Sequence, residues 1–249
     1  MFAMKAHFLI FIVLLFGCSS GNNSSNNSNS PVDYSEETTS EDDSNTTPEY
    51  KLLFLGDSYT VGQSVCGTCN FPAQLISRLE NSEISGDYNK EVIAQTGWTT
   101  TNLLGAISAQ NPSNDYDLVT LLIGVNNQYQ HKPFSIYEEE FPELLDLAKG
   151  FAGGDPNRVI VISIPDYAYT PYGENNPDFE LISQQIDQYN DFAQSIAETN
   201  NVNFLYITDI TRLGLENPSL VASDGLHPSG EAYSQFVDRL MPLAIEKIP

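Results

Sequence analysis

The sequence predicts an α/β fold in which helices cover both faces of a five-stranded parallel sheet, giving a three-layer α/β/α sandwich. Five short runs of aliphatic and β-branched residues support this prediction, because they are apolar at successive positions, as in strands buried on both faces. Segments with helical spacing lie between the runs, and a repeated strand–helix order implies right-handed crossovers and a doubly wound sheet. The predicted strands are residues 52–55, 92–94, 118–123, 159–164 and 204–207.

The first 18 residues have the pattern of a bacterial lipoprotein signal peptide. Lys5 precedes an apolar run over residues 8–16, and Leu15 stands three positions before Cys18, which directly follows Gly17. The apolar run is shorter than the roughly 20 residues that span a bilayer. Cleavage would leave Cys18 as a lipid-modified N-terminus; an ordinary signal peptide with a chance cysteine is the alternative. We therefore expect an exported protein, anchored by lipid to the cell envelope and more specifically to the outer membrane, on a face that the sequence does not specify.

A polar and acidic tract follows over residues 19–50, and it has no apolar periodicity. Such a segment cannot offset its ordering entropy, so we expect a disordered tether. Residues 51–249 are enough for one domain with a full core. Seven of the 33 acidic residues and one of the 10 basic residues precede residue 51, so the domain carries a formal charge of −17. This charge argues against nucleic acid as a partner, because phosphate contacts need clustered Lys and Arg.

Helices are predicted from apolar spacing and from end signals. Ser135 with Glu138 three residues later predicts a capping box at the start of one helix, and Gly150 predicts its end. Pro142 interrupts that segment, so a kink or a later start is expected there. The other helices with a clear apolar face are expected over residues 71–79, over residues 182–196 and from Ser229 onwards.

Polar residues and glycines follow the predicted strands, at the places where a parallel sheet binds ligands. Ligands bind outside the carboxyl ends of such strands, so these residues are expected on one edge. They are Gly56-Asp57-Ser58 after the first strand, Thr96-Gly97-Trp98 after the second, Gly124-Val125-Asn126-Asn127 after the third, and Asp224 and His227 before the last helix.

Ser58 requires a base if it is to act as a nucleophile, because a serine hydroxyl is unreactive until a neighbouring group takes its proton. The domain contains two histidines. His227 follows Asp224 by three residues, so the carboxylate can reach the imidazole Nδ1 across a tight turn. His131 has no carboxylate nearby in sequence and is expected to be a surface residue. Each motif alone is common in turns, and the prediction depends on their occurring together and in order.

Together these motifs resemble the SGNH (GDSL-type) hydrolase family, whose blocks supply a serine, a glycine, an asparagine and a histidine. The resemblance implies a flavodoxin-like fold and ester hydrolysis without a cofactor or a metal. Ser58 would attack an acyl carbonyl, His227 would accept the proton, and Asp224 would orient the imidazole. The oxyanion would be met by the backbone N–H groups of Ser58 and Gly97 and by the side-chain amide of Asn126. We expect that a side chain at Gly97 would crowd the backbone approach to the substrate.

Two residues depart from known family patterns, and four others are predicted to line the substrate cleft. Asn127 stands where the family commonly has aspartate, which removes a charge expected to brace nearby loops. Thr60 replaces the second glycine of the GxSxG elbow, which argues against a typical α/β-hydrolase. The residues predicted to line the substrate cleft are Tyr59, Trp98, Asn127 and Tyr167; loop packing is the alternative role of the aromatic ones.

Cys66 and Cys69 form a CxxC motif in the loop after the predicted nucleophile. In an exported protein the simplest interpretation is a local disulfide that stiffens the loop. A redox dithiol and a zinc site are the alternatives, and the sequence favours neither, because the motif does not follow a strand directly and has no further ligands nearby.

The sequence therefore predicts a lipid-anchored serine esterase that acts on a small-molecule or saccharide ester of a short acyl group, such as an O-acetylated carbohydrate. A lysophospholipase, an O-acyltransferase with the same acyl-enzyme and a catalytically silent carbohydrate-binding lipoprotein are the alternatives. The native ester and the oligomeric state are not specified by the sequence.

Overall fold

The computed structural model describes residues 47–248. The predicted signal peptide, the lipidation at Cys18 and the tether up to residue 46 lie outside the described residues. The first strand begins at Glu49, two residues before the predicted start of the domain. Tyr50 is buried, and its ring stacks on Tyr88 of the neighbouring strand with 5.2 Å between ring centroids. The end of the predicted tether is therefore part of the domain.

Five strands form one sheet in which every neighbouring pair is parallel. Their order is β2-β1-β3-β4-β5, so β1 lies inside the sheet and the chain winds outward from it in both directions. This order confirms the predicted doubly wound parallel sheet. The strands are β1 (Glu49–Gly56), β2 (Asp87–Ala94), β3 (Leu118–Leu122), β4 (Val159–Ile162) and β5 (Asn203–Leu205).

The helices divide between the two faces of the sheet. The crossover from β1 to β2 and the crossover from β2 to β3 run in opposite directions, so right-handed connections place their helices on opposite faces. Consistently, α2 packs against α8, whereas α3 packs against α5, which packs against α6. None of the helices in residues 47–248 is long and apolar enough to cross a membrane. The helices are α1 (Ser58–Val61), α2 (Phe71–Glu80), α3 (Thr100–Gln110), α4 (Val125–Tyr129), α5 (Phe134–Phe151), α6 (Phe179–Thr199), α7 (Thr208–Thr211) and α8 (Gly230–Lys247).

The ends of two helices test the predicted capping signals. The last helix, α8, begins directly after Ser229, where its start was predicted, and the Ser229 hydroxyl accepts a hydrogen bond from the Ala232 N–H at 3.2 Å. The capping box predicted for α5 is wrong, because the helix begins after Pro133 without a side-chain cap. The helix also continues through Pro142, so the alternative of a late start is wrong too. Burial of the apolar face of α5 outweighs the hydrogen bond lost at the proline.

Buried polar side chains fix the segment that follows β4. The side-chain amide of Asn190 accepts from the Ile164 N–H at 2.8 Å and donates to the Ile164 carbonyl at 3.2 Å. Further along, the Arg212 Nε donates to the fully buried carboxylate of Asp166 at 2.9 Å. Asp166 caps the short 3₁₀ turn Tyr167–Tyr169. These contacts set the position of Tyr167, which was predicted to line the cleft.

Candidate active site

Ser58 lies where β1 gives way to the short helix α1. Gly56 ends the strand, and a Cβ at this glycine would come within 2.5 Å of the Leu122 carbonyl oxygen, so only glycine fits. Asp57 then caps α1 by accepting a hydrogen bond from the Tyr59 N–H at 3.0 Å. This turn places Ser58 at the carboxyl end of the sheet, where its side chain lines a cavity although the residue is only 3% exposed.

His227 and Asp224 occupy one tight turn between β5 and α8. The Asp224 Oδ2 lies 2.6 Å from the His227 Nδ1. The other carboxylate oxygen, Oδ1, accepts from the backbone N–H groups of Leu226 at 2.9 Å and of His227 at 3.0 Å. Gly225 has a φ of +74°, a conformation that favours glycine. The carboxylate therefore holds the imidazole of its own turn, which leaves Nε2 available to a reacting group.

One cavity of about 180 Å³ brings the serine and the histidine together with the expected oxyanion donors. Ser58 and His227 come from opposite ends of the domain and both line this cavity, which we call the catalytic cavity. Both residues are described, and no direct hydrogen bond joins them in this arrangement; catalytic hydrogen bonds often form only when substrate is bound. The lining residues are Ser58, Tyr59, Thr96, Gly97, Val125, Asn126, Tyr129, Tyr167, Leu226 and His227.

Ser64 is a further contact to Asp224 that sequence reasoning missed. Its hydroxyl donates to the Asp224 Oδ2 at 2.6 Å, so this oxygen is shared between Ser64 and His227. Ser64 has a φ of +67°, which is uncommon for a residue with a side chain. The two residues are 160 positions apart, and nothing at Ser64 in the sequence indicates the contact.

The loop that carries Ser64 is closed by a disulfide between Cys66 and Cys69, whose Cα atoms are 5.0 Å apart. The Gln74 side-chain amide donates both to the Cys69 carbonyl at 2.7 Å and to the Gly230 carbonyl at 2.9 Å. The loop is therefore tied to the start of α8, directly after the turn that carries the histidine.

Hydrogen bonds keep the Asp224 carboxyl charged. Partial burial by itself would raise the pKa of Asp224, but the hydrogen bonds from Ser64, from the backbone N–H and imidazole of His227 and from the Leu226 N–H outweigh that effect. The pKa of Asp224 is therefore held well below its usual range. A permanent carboxylate here stabilises the positive charge that an imidazole acquires when it accepts a proton.

Asp57 is a second carboxyl near the cavity, and its pKa is shifted in the opposite direction to that of Asp224. It is fully buried, and burial raises its pKa to about 7, although hydrogen bonds from the Tyr59 N–H and from the Asn126 side chain act in the other direction. The Asn126 Nδ2 donates to the Asp57 Oδ2 at 3.3 Å. Asp57 thus contacts the amide that was predicted to bind the oxyanion.

Gly97 and the backbone of Ser58 supply the other two expected donors. Among the described residues, no protein group accepts a hydrogen bond from either backbone N–H. Gly97 has a φ of +83°, and a Cβ built on it would meet no protein atom within 4 Å. Glycine is thus favoured at this position by backbone conformation, and a side chain there would extend into open space rather than against protein.

The four residues predicted to line the cleft divide into two pairs. Tyr59 and Tyr167 line the catalytic cavity, whereas Trp98 and Asn127 do not. Asn127 is fully buried, where its amide accepts from the Thr100 N–H at 3.0 Å and donates to the Thr100 hydroxyl at 2.7 Å. It therefore braces the start of α3 as a neutral amide, and its assignment to the cleft is corrected.

His131 lies on the surface, with a φ of +52°. It does not line the catalytic cavity, in agreement with the prediction of a surface residue. Within residues 47–248, no three His, Cys, Asp or Glu side chains are grouped so that they could hold a metal ion.

Comparison with solved structures shows the same fold in several proteins. TesA aligns with a TM-score of 0.60 at 16% identity, covering 78% of this chain and 97% of that chain. LAE5, an alpha/beta hydrolase enzyme from the metagenome of Lake Arreo, Spain, aligns with a TM-score of 0.59 at 18% identity, covering 80% and 96% of the two chains. Axe2, an acetylxylan esterase from Geobacillus stearothermophilus, aligns with a TM-score of 0.55 at 20% identity, covering 80% and 95%.

At these identities the structural similarity establishes the fold alone, and no curated protein matches the sequence. The sequence does match the model of the GDSL-like lipase/acylhydrolase family over residues 54–235, which is more than half of the chain. The matched stretch includes Ser58, Gly97, Asn126 and the turn of Asp224 and His227. The chain therefore belongs to the GDSL-like lipase/acylhydrolase family of hydrolases.

Proposed function

We propose that this protein is a serine esterase that hydrolyses carboxylic esters of short acyl groups through an acyl-enzyme on Ser58. The observation that carries the proposal is the 2.6 Å contact between Asp224 Oδ2 and His227 Nδ1, in a turn whose imidazole lines the same cavity as the Ser58 hydroxyl. A serine, a histidine oriented by a carboxylate and hydrogen-bond donors for the oxyanion are the parts that acyl transfer requires.

In the first half of the reaction, the Ser58 Oγ forms a bond to the carbonyl carbon of the ester while its proton passes to the His227 Nε2. The carboxylate of Asp224 stabilises the resulting imidazolium. The C–O bond to the alcohol then breaks, and the alcohol leaves with the proton from Nε2. This step leaves the acyl group on Ser58 and returns the histidine to its neutral form.

In the second half, His227 takes a proton from water, and the hydroxide attacks the acyl carbon. The bond to Ser58 Oγ breaks, the serine regains its proton, and the carboxylic acid is released. In both halves the negative charge on the carbonyl oxygen is met by the backbone N–H groups of Ser58 and Gly97 and by the Asn126 amide, which is the usual role of such donors.

The size of the catalytic cavity supports a short acyl group. Its volume of about 180 Å³ is below the roughly 300–1,000 Å³ of drug-sized ligand sites. An acetylated carbohydrate is the substrate class we favour, since Axe2, which shares the fold, is described as an acetylxylan esterase. No metal or cofactor takes part in the steps above.

Replacing the nucleophile or the base tests the mechanism. Ser58→Ala and His227→Ala should each reduce hydrolysis of an aryl acetate by about 10⁴-fold or more, because each removes a group that the proton transfer needs. Initial rates measured on folded variants check this. Ser77→Ala, at an exposed position on α2, is the matched control and should keep full activity. Substantial turnover in either site variant would contradict the mechanism.

A panel of aryl esters with graded chains tests the proposed acyl group. We expect kcat/KM to fall by about tenfold or more from acetate to octanoate, since longer chains exceed the cavity and each misplaced methylene costs binding in the transition state. Steady-state kinetics on acetate, butyrate and octanoate measures the trend. A preference for octanoate would instead indicate a lipid ester as the substrate.

The Asn126 amide can be tested separately from the base. Asn126→Ala should lower kcat by about 10²–10³-fold with little change in KM, because the amide stabilises charge that develops in the transition state. Asn203→Ala, on the exposed side of β5, is the matched asparagine control. An unchanged kcat in Asn126→Ala would remove this residue from the oxyanion site.

The buried carboxyl of Asp57 leads to a prediction about stability. Its pKa is raised from its usual 3.8 to about 7, so between about pH 4 and pH 7 the folded state binds more protons at this group than the unfolded state does. Its contribution to stability is therefore lost as the pH rises through that window. Asp57→Asn removes the titration, and the free energy of unfolding of the variant relative to wild type should rise across the window by on the order of a few kcal/mol.

Chemical denaturation at about pH 4 and about pH 7.5 measures this difference. Asp191→Asn, at an exposed position on α6, is the matched control for the loss of one acidic residue. If the difference in the free energy of unfolding between Asp57→Asn and wild type does not change with pH, the buried carboxyl does not titrate within the window.

A further inference from the structure

A second cavity adjoins the catalytic cavity and is not needed for the chemistry proposed above. Its volume is about 460 Å³, within the roughly 300–1,000 Å³ of small-ligand sites. Tyr129 and Tyr167 line both cavities, so the two cavities lie side by side along these rings. We call it the tyrosine cleft; its lining residues are Gln128, Tyr129, His131, Tyr167, Tyr172, Asn176, Asp178, Leu181, Ile182 and Gln185.

Two tyrosines present exposed rings at this cleft. Tyr129 is 43% exposed and Tyr172 is 50% exposed, and both line the cleft. Their hydroxyls lie 2.7 Å apart, and the Tyr129 ring packs edge-on against Tyr167 with 5.6 Å between centroids. The rings are therefore held in place by other side chains while part of their surface stays open to a ligand.

The floor of the cleft is a chain of fixed polar groups. The Tyr167 hydroxyl donates to the Gln128 Oε1 at 2.8 Å, and the Gln128 Nε2 donates to the Gln185 Oε1 at 2.9 Å. Among the described residues, the Gln185 Nε2 has no protein acceptor, so it can donate to a ligand. The carboxylate of Asp178 at the rim adds hydrogen-bond acceptors.

This lining selects among classes of ligand. Aromatic rings beside amide donors and carboxylate acceptors match a sugar, which has apolar C–H faces and a rim of hydroxyls. An acyl chain would desolvate the amides and the carboxylate without replacing their hydrogen bonds. An anionic head group finds no Lys or Arg among the lining residues. The chemistry therefore favours an uncharged saccharide over a lipid.

The cleft is also connected to the proposed catalytic turn through the backbone. The Tyr172 N–H donates to the Gly225 carbonyl at 2.9 Å, and Gly225 lies between Asp224 and His227. The segment that carries one aromatic wall is thus attached to the turn that carries the base. A saccharide against Tyr172 would lie close to an ester held in the catalytic cavity.

From these observations we infer that the tyrosine cleft binds the sugar chain of an acylated oligosaccharide while the ester group occupies the catalytic cavity. The inference deepens the proposed function and rests on it for the placement of the ester. The cleft selects the alcohol side of the substrate, whereas the catalytic cavity limits the acyl side.

Substrate discrimination tests this inference. The ratio of kcat/KM for acetylated xylo-oligosaccharide to kcat/KM for an aryl acetate should fall about tenfold in Tyr172→Ala and in Gln185→Ala, mainly through KM. Tyr172→Phe keeps the ring and should retain most of the ratio. Tyr206→Ala replaces an exposed tyrosine that lines neither cavity and should leave both activities unchanged. Equal losses on both substrates in Tyr172→Ala would overturn the inference.

Binding measured without turnover separates the cleft from the proposed chemistry. Calorimetric titration of Ser58→Ala with unacetylated xylo-, gluco- and chito-oligosaccharides should show binding that is lost in the double variant Ser58→Ala/Tyr172→Ala. Saccharide binding of this kind, together with a wild-type protein that shows no esterase activity, would support the cleft and refute the proposed function. Esterase activity without saccharide binding, or a Tyr172-dependent preference for long-chain acyl esters, would refute the cleft and leave the proposed function standing.

Discussion

The parallel direction of all five strands is the constraint on which the candidate site depends. Because the strands point the same way, the segments that leave their carboxyl ends meet at one edge of the sheet. Ser58 leaves β1, Gly97 follows β2 and Asn126 follows β3. Each crossover carries the chain back to the amino ends of the strands, and the next parallel strand returns it to the same carboxyl edge. A single antiparallel strand would send one of these residues to the opposite edge. The directions of the strands therefore determine which residues meet at the candidate site.

The pKa values of two carboxyl groups near the site are shifted in opposite directions, because the surroundings of Asp224 and Asp57 differ. Asp224 is partly exposed and receives hydrogen bonds from Ser64, His227 and backbone N–H groups, so it stays charged. Asp57 is fully buried, with fewer donors, so burial dominates and its pKa rises. The charged Asp224 suits a histidine that must accept a proton. Asp57 is uncharged over part of the pH range, so it can lie beside Asn126 without adding a full negative charge near an oxyanion.

The sequence was informative where a residue acts through its own neighbours in the chain. The apolar runs predicted the sheet, and the spacing of Asp224 and His227 predicted a contact that closes within one turn. Contacts made across the fold were not predictable in this way. Ser64 reaches Asp224 from a distant loop, and Asn127, which follows a predicted site residue, turns away to hold Thr100. The helix α3 also went unpredicted, since only Thr100, Leu103 and Ile107 of it are buried and it lacks a clear apolar face.

The separation of Ser58 and His227 along the chain has a consequence for when the enzyme becomes active. An incomplete chain that ends before residue 224 contains the serine, the glycine and the asparagine, but it lacks both Asp224 and His227. The turn of His227 leads directly into α8, which packs against α2. Gln74 of α2 also bonds both the disulfide loop and the start of α8. On the proposed mechanism, hydrolysis would therefore require the C-terminal segment to be in place, and the onset of turnover during refolding would report its arrival at the site.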